Sequence, residues 1–173
     1  MVYNEIGKTG MRVSNLGFGA SSLGGVFHDI REAEGIKAVH MAVENGINFI
    51  DVSPYYGHLK AETVLGKALV DIQRDKYYLS TKVGRYGKDG KNTWDYSAKR
   101  VTDSVYESME RLHIDYLDLI NVHDVEFADL HQIVDETLPA LVKLREEGVV
   151  KRVGITDLQP ENLKWVIEHV PAG

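Results

Sequence analysis

Asp51, Tyr56, Lys82 and His123 have the side-chain types, and the spacing, to move a proton in concert. Asp51 closes the short apolar run Ile47–Asp51 and Tyr56 follows it; Lys82 lies at the end of Tyr77–Val83, and His123 closes Tyr116–His123. An ammonium at the end of an apolar run must find a partner or lose its proton, and Asp51 can be that partner. A cation beside a phenol favours the phenolate, so Lys82 would tune Tyr56 as a proton donor or acceptor while Asp51 holds Lys82. A neutral His123 could donate a hydrogen bond to a substrate oxygen and set its direction. Taken singly, each residue has a structural explanation. Asp51 could cap a turn before Pro54, Tyr56 could be half-buried packing, His123 a satisfied core histidine and Lys82–Asp51 a structural ion pair. Four compatible roles together favour chemistry.

The elements that must position these groups alternate regularly. Short apolar runs at 16–20, 47–51, 77–83, 116–123 and 150–156 are followed by amphipathic stretches at 31–45, 60–72, 97–113, 130–147 and 160–169. Val101, Val105, Met109 and Leu112 fall on one stripe of a 3.6-residue helix, with Ser97 as its N-cap. The run Tyr116-Leu117-Asp118-Leu119-Ile120-Asn121-Val122 suits a parallel strand buried on both faces. Pro139 predicts a kink or a late start in the fourth helix. Before all this, residues 2–14 predict a small hairpin around Gly7-Lys8-Thr9-Gly10. The chain is therefore α/β, with five βα units after a hairpin. Such alternation permits an open doubly wound sheet or a closed barrel, and periodicity does not choose between them.

Composition narrows the function classes. With 173 residues, 43% hydrophobic and 27% charged, the chain reads as one ordinary globular domain, 1–173. A net charge of −6 argues against nucleic acid or anionic lipid as a general partner. There is no cysteine, which excludes disulfides, thiolate nucleophiles and cysteine-held metals. His58, His113, His131 and His169 show no ligand spacing, so no metal is expected. The absence of a leader-like start or a spanning apolar run gives the expectation of a cytoplasmic protein without membrane contact. Gly17-Phe18-Gly19 lacks the third glycine of a dinucleotide fingerprint, and Gly7-Lys8-Thr9 lacks the first glycine of a phosphate loop.

The segments Ile47-Asn48-Phe49-Ile50-Asp51-Val52-Ser53-Pro54-Tyr55-Tyr56-Gly57, Ser80-Thr81-Lys82-Val83 and Leu119-Ile120-Asn121-Val122-His123 resemble the tetrad-bearing segments of the aldo-keto reductases. The likeness runs in order from Leu16-Gly17-Phe18-Gly19 to Gly154-Ile155-Thr156-Asp157, nearly the whole chain. It implies a (β/α)8 TIM barrel of which about five βα units are present. It also implies an oxidoreductase using NADP or NAD, with Tyr56 as proton donor or acceptor, Lys82 and Asp51 as its tuning pair and His123 as the orienting residue. Gly17-Phe18-Gly19-Ala20-Ser21-Ser22-Leu23-Gly24, Gly84-Arg85-Tyr86 and His123-Asp124-Val125-Glu126-Phe127 are most similar to the branch that oxidises aldoses. An L-galactose-like sugar oxidised at C1 to a lactone is thereby implied. Cofactor contacts would come from Gly19, Ala20, Ser21, Asp51, Thr156 and Asp157, although many members carry Ser-Asn at the last two positions.

Aromatic groups in the loops after the strands, Tyr55, Tyr86 and Trp94, could stack on a sugar ring together with His123, or simply cover the rim. Phe27 and His28 occupy the first such loop. A complete barrel usually needs roughly 250 residues, so five units would leave two unpaired edge strands. That predicts self-association or completion by another chain, and the resemblance implies poor cofactor affinity, because most of the family's nicotinamide and adenosine contacts lie in the last three units. Two further readings stand beside the reductase: a partner-binding scaffold without turnover, and a Schiff-base aldolase acting through Lys82. The carboxylate of Asp51 disfavours the aldolase, because it stabilises the charged lysine.

Overall fold

Strands whose side chains are buried on both faces need cover on both, and helices between them supply it on one side. The computed structural model describes residues 1–88 and 91–170. A hairpin of β1 (Tyr3–Glu5) and β2 (Arg12–Ser14) comes first. Then β3 (Phe18–Gly19), β4 (Phe49–Asp51), β5 (Tyr78–Val83), β8 (Leu117–Val122) and β9 (Val150–Ile155) form one parallel five-stranded sheet in the order β3-β4-β5-β8-β9. The helices between them are α1 (Glu32–Glu44), α2 (Lys60–Leu69), α3 (Ala98–Leu112) and a composite of α4 (Leu130–Gln132) and α5 (Leu138–Glu146), with α6 (Pro160–His169) after β9. The five predicted βα units are all present. The boundary drawn at Gly173 lies outside the described residues. Among those residues no helix is long and apolar enough to cross a membrane.

Two elements were not legible in advance. The predicted first strand, 16–20, is only Phe18–Gly19, because Ala20–Gly24 turns into a 3-10 helix with Ala20 and Leu23 buried. The loop after β5 contains a second hairpin, β6 (Arg85–Lys88) with β7 (Lys91–Trp94).

Side chains alternate across each strand. On the outer face Ile50, Val52, Leu79, Ile120 and Val122 are fully or almost fully buried and join Val64, Leu65, Ala68, Val101, Val105, Leu112 and Leu141 from the helices in one core. Two buried carboxylates within that layer are paired. Glu62 of α2 is 0% exposed and accepts from Thr81 Oγ1 at 2.7 Å and from Arg111 Nε at 2.8 Å, which ties α2, β5 and α3 together. Asp118 accepts from the Leu79 N–H at 2.9 Å and from Arg74 at 2.6 Å, while the Arg74 guanidinium lies against the rings of Tyr77 and Tyr116.

Ser97 is the N-cap of α3, its hydroxyl accepting from the Arg100 N–H, and Glu136 accepts from the Ala98 N–H at 2.7 Å. Glu136 reaches there from a π turn, Ile133–Thr137, between α4 and α5. Pro139 has no N–H for the carbonyl four residues back and its ring would crowd that carbonyl. The turn before it widens instead, with Leu138 N–H bonded to Ile133 O, so the predicted kink is a π turn.

The α2–α3 crossing sets one prediction. A Cβ on Gly66 would stand 2.0 Å from Arg111 O, a backbone atom that cannot swing away. Alanine in mid-helix ordinarily gains about 1 kcal/mol over glycine. Forcing the helices apart costs about 1–3 kcal/mol, and the contact should win. Gly66→Ala is therefore expected to lower the urea midpoint; an unchanged or raised midpoint would show that the helices separate freely.

Candidate active site

The inner face of the sheet is polar at the end where the strands finish. Asp51, Ser80, Lys82, Asn121 and His123 share it, two residues apart on their strands, and the first four form a chain of contacts. Lys82 Nζ donates to Asp51 Oδ2 at 2.5 Å and to Val52 O at 2.9 Å. Ser80 Oγ donates to Asp51 Oδ1 at 2.9 Å and accepts from Asn121 Nδ2 at 3.1 Å. Lys82 is buried and Asp51 half-buried. The ammonium thus keeps two oxygen acceptors in a place where an unpaired charge would be costly.

Tyr56 is brought to this pair by the loop after β4. Its N–H donates to Ser53 O at 3.1 Å, and the ring lies 5.0 Å from Lys82 Nζ and 5.8 Å, edge-on, from the His123 ring. Gly57 follows at φ +61°, and a Cβ there would stand 2.1 Å from Gly24 O. From the other side a Cβ on Gly24 would meet Tyr56 O at 2.7 Å. Two glycines let the 3-10 segment press its backbone on the Tyr56–Gly57 peptide, and any side chain would push the tyrosine off its place.

His123 is held by its N–H to Val83 O at 2.9 Å, and Tyr96 Oη donates to the carbonyls of His123 and Asp124. Its Nδ1 lies 3.2 Å from Ser53 Oγ, and its Nε2 lies 3.6 Å from Asp124 Oδ2. Burial pushes the imidazole pKa down to about 4, opposed by the Asp124 carboxylate and reinforced by Lys82 and Arg85. The ring is neutral near pH 7. Between about pH 4 and 6.5 the unfolded chain binds a proton that the native His123 refuses. Folding stability should fall by a few kcal/mol as pH drops through that window. A His123→Gln variant should lose less over the same range, and equal losses would mean that the imidazole protonates in place.

Beside the tetrad, Arg85 pairs with Asp124 and stacks on Tyr55 at 4.0 Å. Trp94 and Phe127 stand next to it, their rings 5.1 Å apart and both substantially exposed. Tyr55 in turn lies 6.1 Å from His123. Tyr55 and Trp94, predicted as substrate contacts, thus border the tetrad. Tyr86 does not join them: its ring is buried beneath Arg100 of α3 at 4.5 Å, and its oxygen accepts from the Gly84 N–H.

Of the positions carried over for a cofactor, Gly19 pairs in register with Asp51, and nothing lies within 4 Å of where its Cβ would stand. Ser21 is half-buried, Ala20 fully buried. Thr156 Oγ1 accepts from the Asp124 N–H at 2.9 Å. The Asp157 carboxylate accepts from the Gln159 N–H and from Asn162 Nδ2 at the start of α6. Both are engaged locally. Among the described residues no cluster of His, Cys, Asp or Glu is arranged to hold a metal.

Sequence reasoning missed Ser53, Ser80, Asn121, Arg85 and Asp124. Ser80 and Asn121 stand two residues before Lys82 and His123 on their strands, so the period of two was a usable signal for both. Arg85 and Asp124 carried no comparable signal.

A sequence model described as the Aldo/keto reductase family matches residues 15–172. An L-galactose dehydrogenase of Arabidopsis thaliana is 48% identical over 97% of this chain and 52% of its own length. A D-arabinose 1-dehydrogenase of Saccharomyces cerevisiae is 39% identical over 91% of this chain and 47% of its own. The solved holo form of an aldo-keto reductase from Bacillus halodurans superposes with a TM-score of 0.86 at 32% identity, covering 98% of this chain and 55% of that one. The chain spans about half the length of the curated relatives it matches.

Proposed function

This chain belongs to the aldo/keto reductase family, and from that premise we propose that it carries the proton-transfer half of a sugar dehydrogenase. Its substrate would be an L-galactose-like aldose, oxidised at C1 to the lactone with NAD or NADP as acceptor. The observation that carries the reading is the convergence of Asp51, Tyr56, Lys82 and His123 at one end of the sheet, with Lys82 Nζ 2.5 Å from Asp51 and 5.0 Å from the Tyr56 ring. The relatives named as aldose dehydrogenases support the sugar assignment.

The residues present fit the reactive end of a nicotinamide: Gly19 leaves open space at the strand end beside Asp51, where a side chain would otherwise stand. Gly19, Ser21 and Asp51 would border it there, with the Ala20 backbone, and Thr156 and Asp157 would flank it from the end of β9. When bound, the nicotinamide accepts the hydride from C1. Tyr56 takes the anomeric hydroxyl proton as the C1–H bond breaks, and the ring oxygen and exocyclic oxygen are left on a lactone carbonyl carbon. Lys82 sets its positive charge 5.0 Å from the Tyr56 ring, beside the group through which the proton passes. Asp51 and Val52 O anchor the ammonium over the Tyr56 ring. Neutral His123 donates to the substrate oxygen without competing for its proton. Carbonyl reduction is the same path reversed. Tyr55 and the Trp94–Phe127 pair offer apolar faces to the C–H side of a sugar ring. The Lys82 nitrogen is already engaged by two oxygens, which disfavours the aldolase.

The test is oxidation of aldoses by the chain with NAD and with NADP, followed by reduced-nicotinamide absorbance, alongside the cofactor-induced rise in melting temperature. The expected result is reduction driven by aldoses and not by ketoses, whose anomeric carbon has no hydrogen to give. A melting shift without aldose-driven reduction would remove the sugar assignment, and no shift with either cofactor would mean that this chain alone does not hold the nicotinamide.

A further inference from the structure

We propose that Ser53 is a positioning residue that sets the tautomer of His123: its hydroxyl donates to Nδ1, so that Nε2 carries the ring proton. Two independent contacts point the same way. At one end, Ser53 Oγ is 0% exposed, accepts the Tyr55 N–H at 3.1 Å and lies 3.2 Å from Nδ1. A serine hydroxyl has one proton to give, and with the Tyr55 N–H already on its oxygen the acceptor in reach of that proton is Nδ1. In the opposite tautomer Nδ1–H would donate to Oγ as well, and the buried hydroxyl proton would be left without an acceptor, the costlier arrangement.

At the other end of the ring, Nε2 lies 3.6 Å from Asp124 Oδ2. A carboxylate attracts an N–H there and repels a bare nitrogen lone pair. Asp124 is kept in place by Arg85, and its own N–H is bonded to Thr156 Oγ1. Ser53 and Asp124 therefore bias the same equilibrium from opposite edges of one imidazole. The hydroxyl also ties the two ends of the site to one another, since the peptide that it accepts from, Tyr55, immediately precedes Tyr56.

This inference rests on the reading of His123 as the donor to the substrate oxygen, because that role requires the proton on Nε2, the nitrogen that Ser53 does not engage. Its test does not depend on turnover. Long-range proton–nitrogen correlation spectra of the uniformly nitrogen-15-labelled chain near pH 7 distinguish a protonated ring nitrogen from a bare one. His123 is picked out of the seven histidines by the signal missing from a His123→Asn sample. The expected spectrum has a bare Nδ1 and a protonated Nε2. In Ser53→Ala the two nitrogens should shift toward averaged positions, as the tautomers mix, and Ser53→Thr should restore the wild-type pattern through its hydroxyl. A protonated Nδ1 in the wild type overturns the proposal, whether or not either variant folds. So does an unaltered pattern in a folded Ser53→Ala. The expected tautomer in a chain that oxidises no sugar would leave Ser53 in its role and count against the dehydrogenase reading alone.

Discussion

Tyr56→Phe is expected to remove aldose oxidation by about 10²–10⁴-fold in kcat, the range that a single general acid or base supplies, while leaving the fold intact. The substitution deletes one oxygen. The phenyl ring keeps its edge contact with His123 at 5.8 Å and its place near Lys82, and the Gly24–Gly57 approach that seats the loop is made by backbone. Lys82 retains both its acceptors, so no buried charge is stranded. Thermal melting and cofactor-induced stabilisation should match the parent chain within experimental error. The loss should fall on kcat far more than on KM, because the proton passes only as the C1–H bond breaks. Activity retained within a few-fold would mean that another group takes the proton, and the tetrad would then be an ion-pair cluster beside a site of different chemistry.

Glu62→Ala should lower stability by about 3–5 kcal/mol, more than Gly66→Ala, because it removes one partner from a buried ion pair. Glu62 is fully buried, and its two oxygens serve Thr81 on the sheet and Arg111 on the neighbouring helix. Alanine would leave the guanidinium, 18% exposed, facing a cavity without its counter-charge. Glu62→Gln should cost less, since the amide oxygen can still accept from Thr81. Urea unfolding of the three chains checks the order. Equal midpoints for the parent and Glu62→Ala would show that Arg111 finds water or another acceptor at no cost. Thr81 adjoins Lys82 with its side chain on the opposite face, so this pair stiffens the strand that carries Lys82.

Much of this was readable because period and polarity coincide. Val101, Val105, Met109 and Leu112 marked a helix face, Ser97 marked its start, and the helix begins at Ala98 with Ser97 as its N-cap. Asp51, Lys82 and His123 stood out as polar groups closing apolar runs, and the barrel-type sheet gathers them because all its strands end at the same side. The contacts between distant loops were not readable. Arg85 beneath Tyr55 depends on the β6–β7 hairpin folding back, and the pairing of Arg85 with Trp94 across that hairpin is a tertiary outcome with weak local signal. The short β3 was overcounted because Ala20 is as apolar in a 3-10 turn as in a strand. Tyr86 was placed at the rim by its position in the chain, whereas the first residues of β6 turn its ring toward α3.

The π turn at Ile133–Thr137 stores one residue of slack in an otherwise regular helix. Each residue of an α-helix advances the chain by about 100° around its axis. Removing one residue from that turn would therefore relieve the local widening but swing Leu130–Gln132 a quarter-circle relative to α5, and Glu136 away from the first amide of α3. The extra residue of the π turn thus gives Glu136 the reach by which one helix closes the open end of its neighbour.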